Sequence, residues 1–309
     1  MFGSPILWMR AIPVLLLATI PALAQEPPLF RSNVSLVHVD FEVTAPDGRV
    51  RTGFTKDDFR VFDNGKEQPI VHFSAGEEPL DLIILFDISG SMRPKVQEVA
   101  AAAREGVQEL RYGDRVSVMV FNSRSSVVSP FTEDLEAVQR TIQQDVLNTR
   151  FGGATFIQSA AQAAAQRFRG ESRSERRRAV LVITDNYGQR TRNEMTVVRE
   201  YWEADALLTA LIVRSAAVET LNTVGIIMNP ARLALQVGVK GIAEKTGGDF
   251  IRADDAGASF QEAMRRIRTR YSLYYPLPES KPGAHRSIRV ELKGDSKSHV
   301  RARTGYIAK

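Results

Sequence analysis

The tightest constraint in the chain is a run with no polar residue inside it, Leu82-Ile83-Ile84-Leu85-Phe86, bounded by Asp81 and Asp87. A strand with one wet face alternates apolar and polar side chains. Five consecutive apolar residues therefore predict a strand covered on both faces, as in the middle of a parallel sheet. The texture returns at Ala179 to Thr184 and at Leu207 to Val213. Between these runs the apolar spacing changes to three and four. Val96, Val99, Ala103, Val107 and Leu110 predict one helix, entered near Pro94 and ended before Gly113. Val116 to Phe121 predicts another strand, Ser126 to Phe131 an edge strand, and Phe250-Ile251 a short one. Helices are expected from Glu133 and over Phe156 to Phe168, Asn193 to Ala204, Leu233 to Lys245 and Phe260 to Tyr271. This alternation predicts an α/β fold over residues 81–270: a doubly wound, Rossmann-like, mostly parallel sheet with helices on both faces.

The flanks have a different texture. Val34 to Val43 alternates apolar and polar residues, turn signals stand at Pro46-Asp47-Gly48 and Asp63-Asn64-Gly65, and Phe59 to Phe62 and Ile70 to Phe73 read as strands. After Arg270 strands return at Tyr271 to Tyr275, Ser287 to Leu292 and Val300 to Thr304. Residues 30–76 and 271–309 are expected to pair into one small β module, with the α/β domain inserted between them. Residues 1–24 read as a signal peptide. The stretch from Ile6 is apolar except for Arg10 and closes on Ala22-Leu23-Ala24 before Gln25-Glu26-Pro27. Pro13, Pro21 and the short length count against a stable membrane span. The expectation is export to the periplasm or beyond, with no transmembrane segment left after cleavage.

The chain has no cysteine, which excludes disulfides, thiolate catalysis, zinc–thiolate sites and iron–sulfur clusters. Any metal must rest on oxygen or imidazole. The surplus of 41 Lys+Arg over 36 Asp+Glu is too small to imply nucleic acid, and no nucleic-acid partner is expected.

The apolar run ends in Asp87-Ile88-Ser89-Gly90-Ser91, where the first strand of the sheet turns towards a helix. In an open α/β sheet, ligands bind at the carboxyl ends of the strands. Alternating Asp87, Ser89 and Ser91 can aim one carboxylate and two hydroxyls at a common point. Thr155, in the Gly152-Gly153-Ala154-Thr155 loop, and Asp185, ending another buried strand, fall at the same edge. Hard oxygens of this kind suit Mg²⁺, with Mn²⁺ and Ca²⁺ as the alternatives. Taken singly, each residue could equally be a helix cap or a loop carboxylate.

At this point the sequence resembles the von Willebrand factor type A domain, whose metal-ion-dependent adhesion site combines D-x-S-x-S with a distant Thr and a distant Asp. The resemblance implies that Asp87, Ser89, Ser91, Thr155 and Asp185 form the metal site. It also implies that the bound cation takes an Asp or Glu carboxylate of a protein partner. In relatives, motion of the last helix can couple to opening of that site, and here the last helix leads straight into the β module. The flanking Gly53-Phe54-Thr55, Asp57-Asp58-Phe59, Asp63-Asn64-Gly65 and Arg301 to Tyr306 resemble the exported bacterial "VWFA-related" proteins of the acidobacterial type. Asn186 departs from the family, where many members carry Gly.

Two other function classes remain open at this stage: a metal-dependent hydrolase or phosphatase, and a scaffold whose metal is structural. A serine hydrolase would need G-x-S-x-G or a base beside Ser89, and no histidine lies in the α/β region. An aspartyl phosphatase would resemble D-x-D-x-T, whereas position 89 is serine. The expectation is a binding module, not an enzyme. The basic runs, Arg167 to Arg178 and Arg265 to Arg270, are expected to be a solvated loop and an exposed helix face.

Overall fold

The computed structural model describes residues 35–171, 176–189, 191–213 and 236–308. The predicted signal peptide lies outside the described residues. The chain opens with the short strands β1 (Leu36–Thr44), β2 (Val50–Arg51), β3 (Phe59–Asp63), β4 (Lys66–Gln68) and β5 (His72–Ala75). The turn between β3 and β4 places Asn64 at φ 46° and Gly65 at φ 79°, the left-handed pair that suits a tight hairpin.

Strands and helices then alternate. First come β6 (Leu80–Asp87), α1 (Arg93–Ala101), α2 (Ala103–Val107), β7 (Arg115–Phe121), β8 (Ser125–Thr132), α3 (Leu135–Arg140) and α4 (Ile157–Arg167). Next follow β9 (Arg177–Thr184), β10 (Gly188–Gln189), α5 (Glu194–Ala204) and β11 (Leu207–Val213). The body closes with β12 (Gln236–Val237), α6 (Lys240–Thr246), β13 (Phe250–Ala253) and α7 (Ala256–Arg268). Strands β14 (Tyr271–Pro276), β15 (His285–Leu292), β16 (His299–Ala302) and β17 (Gly305–Ile307) complete the chain.

The central sheet has the order β13-β11-β9-β6-β7-β8, parallel except for the edge strand β8. All eight residues of β6 are buried. Because side chains alternate along a strand, Leu82, Ile84 and Phe86 pack on one face with Val96, Val99, Phe260 and Met264. Ile83 and Leu85 pack on the other with Ala161, Ala164, Val198 and Trp202. The architecture is a Rossmann-like α/β layer with helices on both faces.

The predicted helix over Val96 to Leu110 is broken at Ala102 (φ −90°, ψ 2°) into α1 and α2. The tilt brings α2 against α7: a Cβ on Gly106 would meet the Phe260 ring at 2.3 Å, so only glycine admits the contact. The predicted helix from Leu233 differs too. Its first residues lie outside the described ones, Gln236–Val237 pair antiparallel with β10, and the helix starts only at Lys240.

The flanking strands build two further sheets. One has the order β16-β1-β14-β5, with β2 on β1, and the other β17-β15-β3-β4. Strands from the two ends of the chain are direct neighbours, with Val39 opposite Leu273 and Val61 opposite Val290. Phe41, Phe59, Tyr271 and Leu273 fill the core between them.

The basic runs are only in part the solvated features expected: Arg169 and Arg265 are exposed, Arg173 lies outside the described residues, and the ends of both runs are buried. Arg268 and Arg270 are 3% and 0% exposed, and Arg177 is 1% exposed. Arg177 meets Asp40 of β1 at 2.9 Å and donates to the carbonyls of Ile267 and Arg268 at the end of α7. Arg268 pairs with Asp114 at 2.9 Å, and Arg270 with Asp249 at 3.2 Å. These guanidiniums lie where the α/β body meets the β module. The long side chains satisfy buried carboxylates and the last carbonyls of a helix at once.

His38 of β1 belongs to this junction. Its Nδ1 is 3.0 Å from Asp205 Oδ2 and its Nε2 is 3.3 Å from Asp40 Oδ1. Burial alone would lower its pKa, but the two carboxylate charges outweigh burial and raise it to about 10. A histidine whose folded pKa is raised contributes stability that is complete below its unfolded value and is lost as pH rises through the folded one. The contribution of His38 should therefore decline between about pH 6.5 and 10, by up to ~1.4 kcal/mol per pH unit. Urea titrations of the wild type and His38→Gln across that range will read it. The wild type should lose its advantage over the variant as pH rises, and parallel curves would disprove the charged-histidine clasp.

Candidate metal centre

The site is set by the register of two parallel strands. Phe86 stands opposite Ile183, which brings Asp87 at the end of β6 beside Thr184 at the end of β9. The Thr184 hydroxyl donates to Asp87 Oδ2 at 2.7 Å, and the Ser89 backbone N–H donates to Asp87 Oδ1 at 2.8 Å. Past Gly90 the chain turns back, and the Ser91 hydroxyl donates to Asp185 Oδ2 at 2.6 Å. The hydroxyls of Ser89 and Ser91 are 3.4 Å apart. Four of the five expected residues, Asp87, Ser89, Ser91 and Asp185, thus share one continuous set of hydrogen bonds.

Thr155 stands on the adjoining loop. Gly152 N–H donates to the Ile88 carbonyl at 2.8 Å, and Gln189 N–H donates to the Thr155 carbonyl at 2.9 Å. The loop is therefore tied on one side to the D-x-S-x-S turn and on the other to the segment after Asp185. Among the described residues, the Thr155 hydroxyl is not hydrogen-bonded to the other four.

Two residues that sequence reasoning passed over support the arrangement. Thr184 holds Asp87 and also accepts from Asn186 N–H at 3.0 Å. Its signal was a lone hydroxyl closing an apolar run. Asn122 donates through Nδ2 to the Gly152 carbonyl at 2.9 Å, and nothing in its local sequence distinguished it.

The electrostatics can be judged by comparing the two ends of β6, each closed by an aspartate that is 0% exposed. Asp81 is desolvated but faces Arg115 at 2.7 Å and Arg176 at 2.6 Å, which hold its carboxyl below the usual range. Asp87 has hydroxyl and amide donors but no cation. Burial pushes its pKa up to about 6 against those hydrogen bonds, and the charge of Asp185 adds to the rise. Asp185 is raised as well, by burial first. The pair lacks the positive charge that a divalent ion would supply, so the donor set fits one: two carboxylates, the hydroxyls of Ser89, Ser91 and Thr155, and water. Among the described residues no group of three or more His, Cys, Asp or Glu side chains could hold a metal. A cation here would therefore rest on two carboxylates and keep electrophilic character towards a further anion.

Asn186 adopts the left-handed conformation at φ 61°. Its side-chain Oδ1 accepts from Val239 N–H at 3.0 Å, and its amide fills the space a Cβ on Gly238 would need, at 2.2 Å. The residue that departs from the resembled family thus keeps a glycine-like backbone and adds a tether from the Asp185 loop to the entry of α6.

Comparison with known proteins bears on the same stretch. Residues 82–189 match the family described as von Willebrand factor type A domain, and this segment contains all five candidate residues. No curated protein matches the chain. Among solved structures, a von Willebrand factor type A protein from Catenulispora acidiphila is 11% identical, with a TM-score of 0.47, covering 91% of this chain and 76% of its own. An aerotolerance-related membrane protein from Bacteroides fragilis is 17% identical, with a TM-score of 0.45, covering 61% of this chain and 98% of its own. The manganese-loaded TRAP protein of Plasmodium vivax is 12% identical, with a TM-score of 0.45, covering 80% of this chain and 98% of its own.

The tether through Asn186 has a measurable consequence. Asn186→Gly loses one hydrogen bond but keeps the backbone conformation, whereas Asn186→Ala loses the bond and carries a Cβ into the left-handed region. The alanine variant should be less stable than the glycine variant by about 1–2 kcal/mol in urea unfolding. Equal midpoints would show that the left-handed geometry is not maintained in solution.

Proposed function

We propose that this chain is an exported protein-interaction module in which a divalent cation, Mg²⁺ by preference, is held by Asp87, Ser89, Ser91, Thr155 and Asp185 and completes its shell with an acidic side chain of a protein partner. The reading proceeds from the von Willebrand factor type A match over residues 82–189. The observation that carries it is the contrast along β6: two buried aspartates on one strand, of which only Asp87 lacks a cation. When bound, the metal supplies an electrophilic point for a carboxylate. The chain's own residues hold that point in place. Thr184 and the Ser89 amide orient Asp87, Ser91 orients Asp185, and the Gly152–Ile88 bond keeps the Thr155 loop against the turn.

Binding is favoured over catalysis because, among the described residues, the site offers no carboxylate or histidine besides Asp87 and Asp185 to act as a base. Both carboxylates are engaged by the loop that would hold the ion. The four histidines, His38, His72, His285 and His299, lie on β1, β5, β15 and β16 of the flanking module. Export is proposed from the apolar stretch ending at Ala24.

Thermal unfolding tests the metal. At Mg²⁺ concentrations near a hundred times the dissociation constant, the folded state should gain about 2.7 kcal/mol, which raises Tm by roughly 4 °C for a chain of this size. EDTA should reverse the gain, and Asp87→Ala should abolish it. A Tm indifferent to Mg²⁺, Mn²⁺ and Ca²⁺ alike would sink the metal-site reading.

A further inference from the structure

The loops around the candidate metal centre carry an uneven charge. Residues 88–92, 122–124, 146–156 and 186–193 contain no aspartate or glutamate. Within or directly beside the same loops stand Arg93, Arg124, Arg150 and Arg192, all exposed. Asp254 and Asp255 follow β13 at the same end of the sheet, but β13 lies two strands beyond β9, and Asp255 is occupied in capping α7 through Ala258 N–H at 2.8 Å.

Most arginines elsewhere are spent on carboxylates: Arg115 on Asp81, Arg177 on Asp40, Arg268 on Asp114, Arg286 on Asp63. Arg93, Arg124 and Arg150 have no carboxylate partner among the described residues. Arg93 and Arg124 are each linked to the loop that carries Thr155. The Arg93 guanidinium lies 5.4 Å from the centre of the Phe151 ring, on the loop that leads to Thr155. The turn carrying Arg124 is closed by Asn122, whose side chain holds the Gly152 carbonyl. Arg93 at the start of α1, Arg124 on the turn before β8 and Arg150 on the loop before α4 are therefore exposed cations at the edge that holds the buried Asp87 and Asp185, and none of the three has an ion-pair partner among the described residues.

We propose that the partner is recognised through a cluster of carboxylates, an acidic protein segment rich in Asp and Glu, of which one side chain completes the metal shell while others pair with Arg93, Arg124 and Arg150. The proposal rests on the metal-site reading for the first carboxylate only. A nucleic acid fits less well. The arginines come from separate segments rather than along one helix or strand, and the aromatics of these loops, Phe151, Phe156 and Tyr187, are all half-buried.

Two fluorescent peptides of equal length test this with the full chain, one bearing six consecutive glutamates and the other a single glutamate among glutamines. In Mg²⁺ the six-glutamate peptide should bind at least tenfold more tightly, and raising salt from 50 to 300 mM should erase most of the difference. Arg93→Ala, Arg124→Ala and Arg150→Ala should each weaken it roughly two- to fivefold, the range for exposed ion pairs. The triple variant should bring it down to the single-glutamate value. Arg104→Ala, which removes an exposed charge from α2, should change nothing. An unchanged Tm for the triple variant will show that the loops still fold.

Equal affinity for the two peptides, or a triple variant that keeps the preference, overturns the proposal. Tighter binding of a single-stranded DNA of the same charge through the same arginines overturns the assignment to an acidic protein. Arginine-dependent binding that ignores EDTA leaves the acidic partner standing and removes the metal. Absence of binding by either peptide in Mg²⁺ defeats both.

Discussion

The structure is organised by a strand that buries an acid at each of its ends. Strand β6 lies at the centre of the sheet with no polar residue between Asp81 and Asp87, so both carboxylates are carried into the protein by the packing of the residues between them. Burying a carboxylate without compensation is expensive, and the two ends meet that cost differently. At Asp81 the guanidiniums of Arg115 and Arg176 close the charge, and the result is a structural clasp. At Asp87 hydroxyls and an amide orient the carboxylate, and a second acid, Asp185, lies across the same set of hydrogen bonds. One end of the strand is closed by guanidiniums, and the other is held by hydroxyl and amide donors alone.

The same economy of charge governs the junction with the flanking module. Arg177, Arg268 and Arg270 would be costly to bury alone, yet each meets an acid or the open carbonyls at the end of α7. Helix α7 runs directly into β14, whose neighbour β1 contributes both Asp40 and His38 to the junction. The body and the module are therefore joined by covalent continuity and by buried ion pairs, while sheet pairing between the two ends of the chain closes the module itself. Around the candidate metal site the pattern inverts, since Arg93, Arg124 and Arg150 have no ion-pair partner among the described residues. Within a chain whose net charge is only +5, pairing is dense at the junction and sparse at the rim.

The apolar runs that became β6, β9 and β11 were legible as strands because a two-faced burial leaves no room for polar residues. Helix ends were less legible. The break at Ala102 has no marker of its own, and the seating of the Phe260 ring against Gly106 beyond it joins residues far apart in sequence. The start of α6 at Lys240 likewise reflects the pairing of β12 with β10 and the seating of Gly238 against Asn186. The buried members of the arginine runs, Arg177, Arg268 and Arg270, were not legible because local sequence shows charge but not the distant acid that neutralises it.

Sequence alone determined the alternation of buried strands and helices, the absence of thiol chemistry, and the five oxygen-bearing residues worth following, since these depend on residue type and short spacing. Only the tertiary structure decided which carboxylates are paired. It set Arg176 against Asp81 and Thr184 against Asp87, and gave Asn186 its tether to Val239. The reason is physical: the charge state of a buried group depends on what lies within a few ångströms of it, and those neighbours come from strands and loops that the chain order keeps far apart.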